Sequence, residues 1–399
     1  MSEGAGRTLG LTLHEEADVK TRVTDMLGVE FPILAFSHCR DVVAAVTKAG
    51  GFGVLGAVAH TPDQLEVDLT WIEEQTRGGR YGVDLLLPAK YAGAEEGGID
   101  ADAVRQLLPP AQQQFVDEIL RRYEVPELPE DLRAGSERNV LANVAAKGYE
   151  PLLDVAFAHD IALVASALGP PPPSLITRAH DAGVAVAALA GTVTHAERHR
   201  AMGVDVIVAQ GTEAGGHTGE ISTMVLVPEV VDAVAPTPVL AAGGIGNGRQ
   251  IAAALALGAE GVWCGSVWLT TEETETHPAV KQKFLDATSR DTIRSRSLTG
   301  KPARMLRSAW TDEWEGPESP GALAMPLQSA LVAEAQYRIS RAASTEGSGA
   351  QKLANYFVGQ VVGQLDRIRP ARQVVLDMMT EYAEVAQRFA DQVAEEANA

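Results

Sequence analysis

Cysteine is almost missing from this chain: Cys39 and Cys264 are the only two among 399 residues. Two thiols so far apart build neither a disulfide framework nor a zinc-binding spacing, which points to a reducing, cytoplasmic setting. Positive charge is the second shortage. Thirty-three Lys and Arg stand against 53 Asp and Glu, for a net charge of −20 and a pI of about 4.9. Nucleic acid and anionic membrane surfaces both need a basic face, so both are excluded as partners. Long apolar runs are also absent. No stretch has the length of a membrane-spanning helix, and residues 1–20 lack the basic-then-apolar order of a secretory leader. The same acidity constrains any cofactor, because an anionic group must be held by local backbone dipoles against an unfavourable overall field.

What is present is a regular alternation. Hydrophobic residues make up 46% and charged residues 22%, enough for a large core. Short apolar runs at 31–36, 52–57, 81–87, 161–168, 184–190, 204–210, 238–242 and 261–265 read as strands. Amphipathic stretches at 41–49, 61–76, 150–159, 174–182, 194–202, 222–234 and 249–257 read as helices. Thr61 with Pro62 signals a helix start, Gly50 and Gly51 a helix stop, and Pro228 a bend or break. Eight strand–helix repeats over roughly 240 residues predict an α/β fold of the (β/α)8 TIM-barrel kind. A doubly wound sheet fits less well, since no G-x-G-x-x-G follows the first strand.

The expected domain plan is a flexible tail over 1–22 and a barrel over 23–275. A mostly helical insertion, 88–148, follows the third strand. A helical C-terminal region, 276–399, packs on the barrel, with helices at 279–287, 327–341, 351–364 and 373–396. Residues 300–304 and 310–321 read as irregular connections.

Active sites of such barrels lie at the C-terminal ends of the strands. Polar and glycine residues collect there: Ser37 and His38, Asp84, Ser166, Gln210 and Gly211, the run 243–248, and Gly265 with Ser266. Two glycine loops, AAGGIGNG at 241–248 and GS at 265–266, stand where such barrels hold phosphate on backbone N–H groups and a helix N-terminus. The loop AQGTEAGGHTG at 209–219 carries His217, an imidazole placed for proton transfer. His195 and His199 lie at helical spacing, but the surrounding run reads as a solvated face and not as a metal pair, and no metal is expected. Cys264 reads as a small buried residue.

These stretches, together with GAEGVWCGS at 258–266 and GKPARMLR at 300–307, resemble the nitronate monooxygenase group, formerly called 2-nitropropane dioxygenases. Its members are FMN-dependent TIM barrels. The resemblance implies that Gly243, Gly244, Ile245, Gly265 and Ser266 hold the FMN phosphate. It implies that Gln210, Gly211, Gly215 and Gly216 lie along the flavin, with Ala35, Phe36, Ser37, Asp84 and Ser166 also on the cofactor side. His217 becomes the catalytic base. The chain departs from the group at Phe36-Ser37, where Pro-Met is usual, and at Asp84, where Asn is usual; both positions face the substrate side. The implied reaction is oxidation of a nitronate or nitroalkane by FMN and O₂ to a carbonyl compound and nitrite. The alternatives are an NAD(P)H-dependent reductase of enoyl thioesters or quinones, and a flavin-free barrel that binds a phosphate ligand. A homodimer is left open.

Overall fold

The computed structural model describes residues 19–85, 107–129 and 149–397. Its strands are β1 (Ile33–Ser37), β2 (Phe52–Gly56), β3 (Gly82–Leu85), β4 (Leu163–Ser166), β5 (Ala185–Ala190), β6 (Val206–Gln210), β7 (Gly216–His217), β8 (Val239–Ala242), β9 (Val262–Cys264), β10 (Thr292–Ser295) and β11 (Ala303–Leu306). Eight of them close a parallel barrel in chain order, β1 to β6 and then β8 and β9, with β9 returning to β1. The fold is the (β/α)8 barrel expected from the repeats.

Alternation along each strand sorts the side chains. Leu34, Phe52, Val54, Leu163, Ala165, Ala187, Val206, Val208, Leu240, Ala242 and Trp263 fill the barrel interior as one buried cluster. Their sequence neighbours, such as Ala35, Leu55, Val164, Ile207 and Ala241, join the core between barrel and helices. Both strand faces are thus apolar, which is why the strands read in sequence as continuous runs.

The helix Arg22–Leu27 places Val23 and Leu27 against the interior cluster, at the strands' N-terminal end. Thr21 caps this helix, and its hydroxyl donates to the Glu260 carbonyl at 2.8 Å. Thr21 and Arg22 are therefore part of the folded body, and residues 1–18 of the expected tail lie outside the described residues. Leu27→Ala should cost about 2–5 kcal/mol of stability, read by denaturant unfolding. Ligand binding at the strands' C-terminal ends, where the site is expected, should be unchanged, because Leu27 packs at the opposite pole; a matching loss of affinity would contradict that separation.

Three expectations are corrected. Pro228 neither ends nor splits its helix, which runs Thr223–Val234. The carbonyl that loses its N–H partner belongs to Met224, in the exposed first turn, where water can satisfy it. Residues 300–304 and 310–321 are not irregular throughout. Ala303–Leu306 is a strand of a small antiparallel sheet, β10-β11-β7, and Ala309–Glu315 is a helix. The stretch 351–364 is not one helix: Gly349–Leu353 is helical, 354–359 crosses the barrel's mouth, and Gln360–Gln364 is a short 3-10 turn. Of the insertion, residues 107–129 are described and carry the helix Pro110–Arg122; 88–106 and 130–148 lie outside the described residues.

The long helix Ala371–Ala397 packs on the barrel helix Gly248–Ala256. Contact is backbone to backbone, since a Cβ on Gly248 would fall 2.2 Å from the Met378 carbonyl oxygen. Among the described residues, no helix is long and apolar enough to cross a membrane.

Candidate active site

The interior rows of the strands end at the barrel's mouth. Phe36 continues the row of Leu34; its ring stacks on Trp263 at 6.2 Å and meets the His38 ring edge-on at 5.1 Å. Gly56 ends the row of β2. A Cβ there would lie 2.6 Å from His38 Nδ1, so glycine makes room for the imidazole to fold over the mouth. The carbonyl of Gly56 can only accept, so His38 donates Nδ1–H to it at 2.8 Å, leaving Nε2 unprotonated in the neutral ring. Burial among protein lowers the His38 pKa although its side chain keeps exposed surface, so it lines a recess and not the outer surface. Tyr356 is similar: 38% exposed, yet with its hydroxyl pKa raised by burial. Asp84 lies beside Gly56 in register and is 5% exposed.

The two glycine loops fit an anion, with one change from expectation. The backbone N–H groups of Gly243, Gly244, Ile245 and Gly265 find no acceptor among the described residues. Gly243 (φ +101°) and Gly244 (φ +73°) hold left-handed backbone that other residues rarely adopt. The start of the next helix, by contrast, is already satisfied from within. Gly246 N–H donates to Gln250, Gln250 N–H to Asn247, and Gly248 N–H to Glu381 Oε2 from the C-terminal helix. The anion cradle is therefore the loop ahead of the helix, more than the helix end itself.

Glu213 joins the two halves of this cradle. Its carboxylate accepts from the backbone N–H and the hydroxyl of Thr223, both at 2.9 Å. The same hydroxyl lies 3.0 Å from the Gly243 carbonyl oxygen. Gly211 sits so tightly under this clamp that a Cβ would stand 2.1 Å from Thr223 Oγ1. Beyond it the backbone opens: around Gly216 (φ +76°) nothing lies within 4 Å of a built Cβ, which leaves space for a flat ligand.

His217 is held on β7 by pairing with Ala303 of β11, outside the barrel wall but over its mouth. Its Nε2 lies 2.8 Å from Thr299 Oγ1, and its ring is 6.2 Å from Phe357. Burial lowers its pKa to about 4, with a smaller push from the positive charge of Lys301. It is therefore a neutral imidazole at physiological pH. Lys301 is half-buried, forms no ion pair among the described residues, and has its own pKa lowered by burial.

A strap from the C-terminal region closes the arrangement. Gly359 N–H donates to Ser266 Oγ at 2.8 Å and Gln360 N–H to the Glu213 carbonyl at 2.9 Å. Gly215 carries no side chain because Val358 and Gly359 pass where a Cβ would sit, at 2.8–2.9 Å. The strap delivers Tyr356 and Phe357 to the recess.

The residues expected from sequence thus divide. Phe36, Asp84, Gln210, Gly216, His217, Gly243, Gly244, Ile245 and Gly265 reach the mouth or its rim. Ala35 packs toward the helices, and Ser166 is fully buried with its hydroxyl on the Gly169 carbonyl. Ser37 and Ser266 accept N–H bonds from Cys39 and Gly359 at their hydroxyl oxygens, which leaves each O–H to donate; Gly211 and Gly215 shape the loop. Thr299, Lys301, Tyr356 and Phe357 were missed. The GKPAR run at 300–304 contained Lys301 and began one residue after Thr299, but 354–359 was absorbed into an assumed helix.

His199 is also corrected: it is buried, with Nε2 on the Leu189 carbonyl at 3.1 Å, so it is a core residue and not part of a solvated face. Cys264 is buried and its pKa is pushed up to about 12, an inert thiol. Among the described residues, the one group with metal-like spacing is Cys39, Asp41 and Glu275, outside this site.

The barrel's mouth thus combines loop amides without an acceptor, a buried carboxyl with no partner among the described residues and a neutral histidine at the rim, and it has room for an anionic, flat ligand. The nitronate monooxygenase family model matches residues 20–381. The chain is 69% identical over 364 residues to Rv1533 of Mycobacterium tuberculosis (strain ATCC 25618 / H37Rv), named as a monooxygenase, covering 91% of this chain and 96% of that protein. The structure resembles nitroalkane oxidase from Streptomyces ansochromogenes, with TM-score 0.75 and 28% identity over 92% of this chain and all of that one. It also resembles FabK from Thermotoga maritima, with TM-score 0.69 and 28% identity over 94% and 99% of the two chains. The chain belongs to the nitronate monooxygenase family and is a flavin-dependent oxidoreductase.

Proposed function

We propose that this enzyme binds FMN and oxidises alkyl nitronates, or their parent nitroalkanes, with O₂ to a carbonyl compound and nitrite, His217 being the general base. The observation that carries the reading is His217 itself: neutral, held at the rim by Thr299, and facing the same mouth as the glycine cradle.

The loop amides of Gly243, Gly244, Ile245 and Gly265 would hold the phosphate, and Phe36, Gln210 and Gly216 would border the ring. Bound FMN supplies the electron acceptor and the place where O₂ reacts. The protein's part is proton removal and orientation. A base must show a bare nitrogen to the substrate; with the Thr299 hydroxyl donating to the Lys301 carbonyl at 3.2 Å, its oxygen accepts Nε2–H from His217 and the bare nitrogen is Nδ1. The positive charge of Lys301 disfavours imidazolium but favours the nitronate anion left when the α-proton goes. Phe36, Trp263 and Phe357 give the recess apolar walls that strengthen this interaction.

The pH dependence has a definite sign. The base works while neutral, so kcat/KM for a neutral nitroalkane should hold down to low pH and fall through about pH 4, where an ordinary histidine would fall near 6.5. With pre-formed nitronate, no such limb from His217 should appear. Lys301→Met should move the limb upward. A limb near 6.5 in the unaltered enzyme would count against the buried neutral imidazole.

The direct test of the function is an absorbance spectrum of the purified protein followed by anaerobic titration. Bleaching of the flavin by nitronate alone supports the proposal. Bleaching by NADH with no response to nitronate would overturn it.

A further inference from the structure

Asp84 is the only buried carboxyl among the described residues, and nothing so far accounts for how it is tolerated. It belongs to the interior row of β3, with Gly56 and Ala165 as its cross-strand partners, while Val83 and Leu85 on either side face the helices. Its Oδ2 is closed off from solvent without a hydrogen bond, and neither oxygen is bonded to a described residue.

Among the described residues, the neighbouring titratable groups offer no compensation. His38 leans over Gly56, but its Nδ1–H is committed to the Gly56 carbonyl and burial disfavours its charged form. His60, on the loop after β2, is engaged with Asp68. Glu73, Tyr81 and His159 bond one another on the helix side of the barrel wall. His217, Lys301 and Tyr356 approach the mouth on other elements. None of them bonds to Asp84, and burial alone raises its pKa well above the ordinary value. An unpaired carboxylate in such a place takes up a proton instead of remaining charged. A protonated carboxyl has an O–H to donate, and here it stands in the floor of the mouth, where a flat ligand would lie.

We propose that Asp84 is an uncharged carboxylic acid whose O–H donates a hydrogen bond to an acceptor atom on the ring of the bound cofactor, so that its deprotonation at alkaline pH loosens the cofactor's hold. The inference rests on the FMN reading and adds the protonation state of one of its contacts. It also explains how Asp serves where an Asn is usual: an amide and a neutral acid both donate, and only the acid can lose that ability.

The test is FMN affinity, measured by flavin fluorescence with the unmodified protein and Asp84→Asn from pH 6 to pH 10. The ionisation of the FMN phosphate is common to both and cancels in the comparison. The unmodified protein should weaken by about ten-fold or more at the alkaline end, as expected for losing a hydrogen bond and gaining a buried charge. Asp84→Asn should bind FMN near neutral pH and show no such loss. Superimposable pH profiles would overturn the proposal, as would a folded Asp84→Asn protein, by thermal melting, that no longer binds FMN at pH 7. An infrared readout needs no variant: the holoenzyme should show the carbonyl stretch of a protonated carboxyl at pH 7 that fades at alkaline pH, and its absence would overturn the proposal. If the unmodified protein binds no FMN at any pH, the cofactor reading fails, an outcome distinct from FMN binding without pH dependence.

Discussion

Replacing His217 with asparagine should lower turnover of a neutral nitroalkane by about 10²–10⁴-fold, the usual cost of losing a general base, while the protein stays yellow. The pairing of β7 with Ala303 is made by backbone and does not need the imidazole, so it should persist. The loss should concentrate on the neutral substrate. A pre-formed nitronate has already given up its proton, so its oxidation should fall far less. The comparison separates a base from a residue that merely shapes the site. If both substrates lost activity equally with flavin still bound, His217 would be a positioning residue; wild-type turnover with the neutral substrate would remove it from the mechanism.

Gly243→Ala should weaken flavin binding by about 10–100-fold, corresponding to about 1–3 kcal/mol of backbone strain. At φ +101° an L side chain is strained, and the new Cβ would press to 2.9 Å from Thr223 Oγ1 and 3.1 Å from the Gly211 carbonyl oxygen. Relief requires the loop to rotate, which turns the Gly243 and Gly244 amides away from the anion. Fluorescence titration with FMN reads the effect. Gly347→Ala is the matched control: its φ is +74°, but nothing lies within 4 Å and it is remote from the cradle. It should cost stability without changing affinity. Equal affinity for Gly243→Ala and the unmodified protein would mean that the cradle does not hold the phosphate.

Much of the architecture is legible in the chain because the signals are local. Each barrel strand is a short apolar run closed by glycine or a polar residue, and each helix has its own start or stop, such as Thr61 with Pro62. Eight such units in phase leave few alternatives to a closed barrel, and the barrel by itself says where to look for chemistry. Gly243, Gly244 and His217 were accessible in this way, since a glycine or histidine in a βα loop has no role in a core.

Where local reading failed, a distant partner had overridden it. His199 looked solvated because its neighbours are charged, but its one position on the helix faces inward and meets Leu189. Residues 354–359 continued a helical pattern, yet Gly359 leaves it to bond Ser266, 93 positions earlier. Residues 300–304 read as an irregular connection, yet Ala303–Leu306 forms β11 because β7 and β10 come to it.

The sequence alone therefore determined the barrel, the pole that carries the chemistry, and the residue types available there. Those depend on periodicity and on glycine's conformational freedom, which act over a few neighbouring residues. Only the tertiary structure decided which of those residues reach the mouth. It turned Ala35 and Ser166 away from the mouth, brought Lys301 and Tyr356 to it, occupied the helix amide of Gly248 with Glu381, and enclosed Asp84 without a partner among the described residues. Such outcomes depend on burial and on contacts between segments far apart in the chain. The physical consequences — a histidine kept neutral, a carboxyl closed off from water — exist only once those segments have packed.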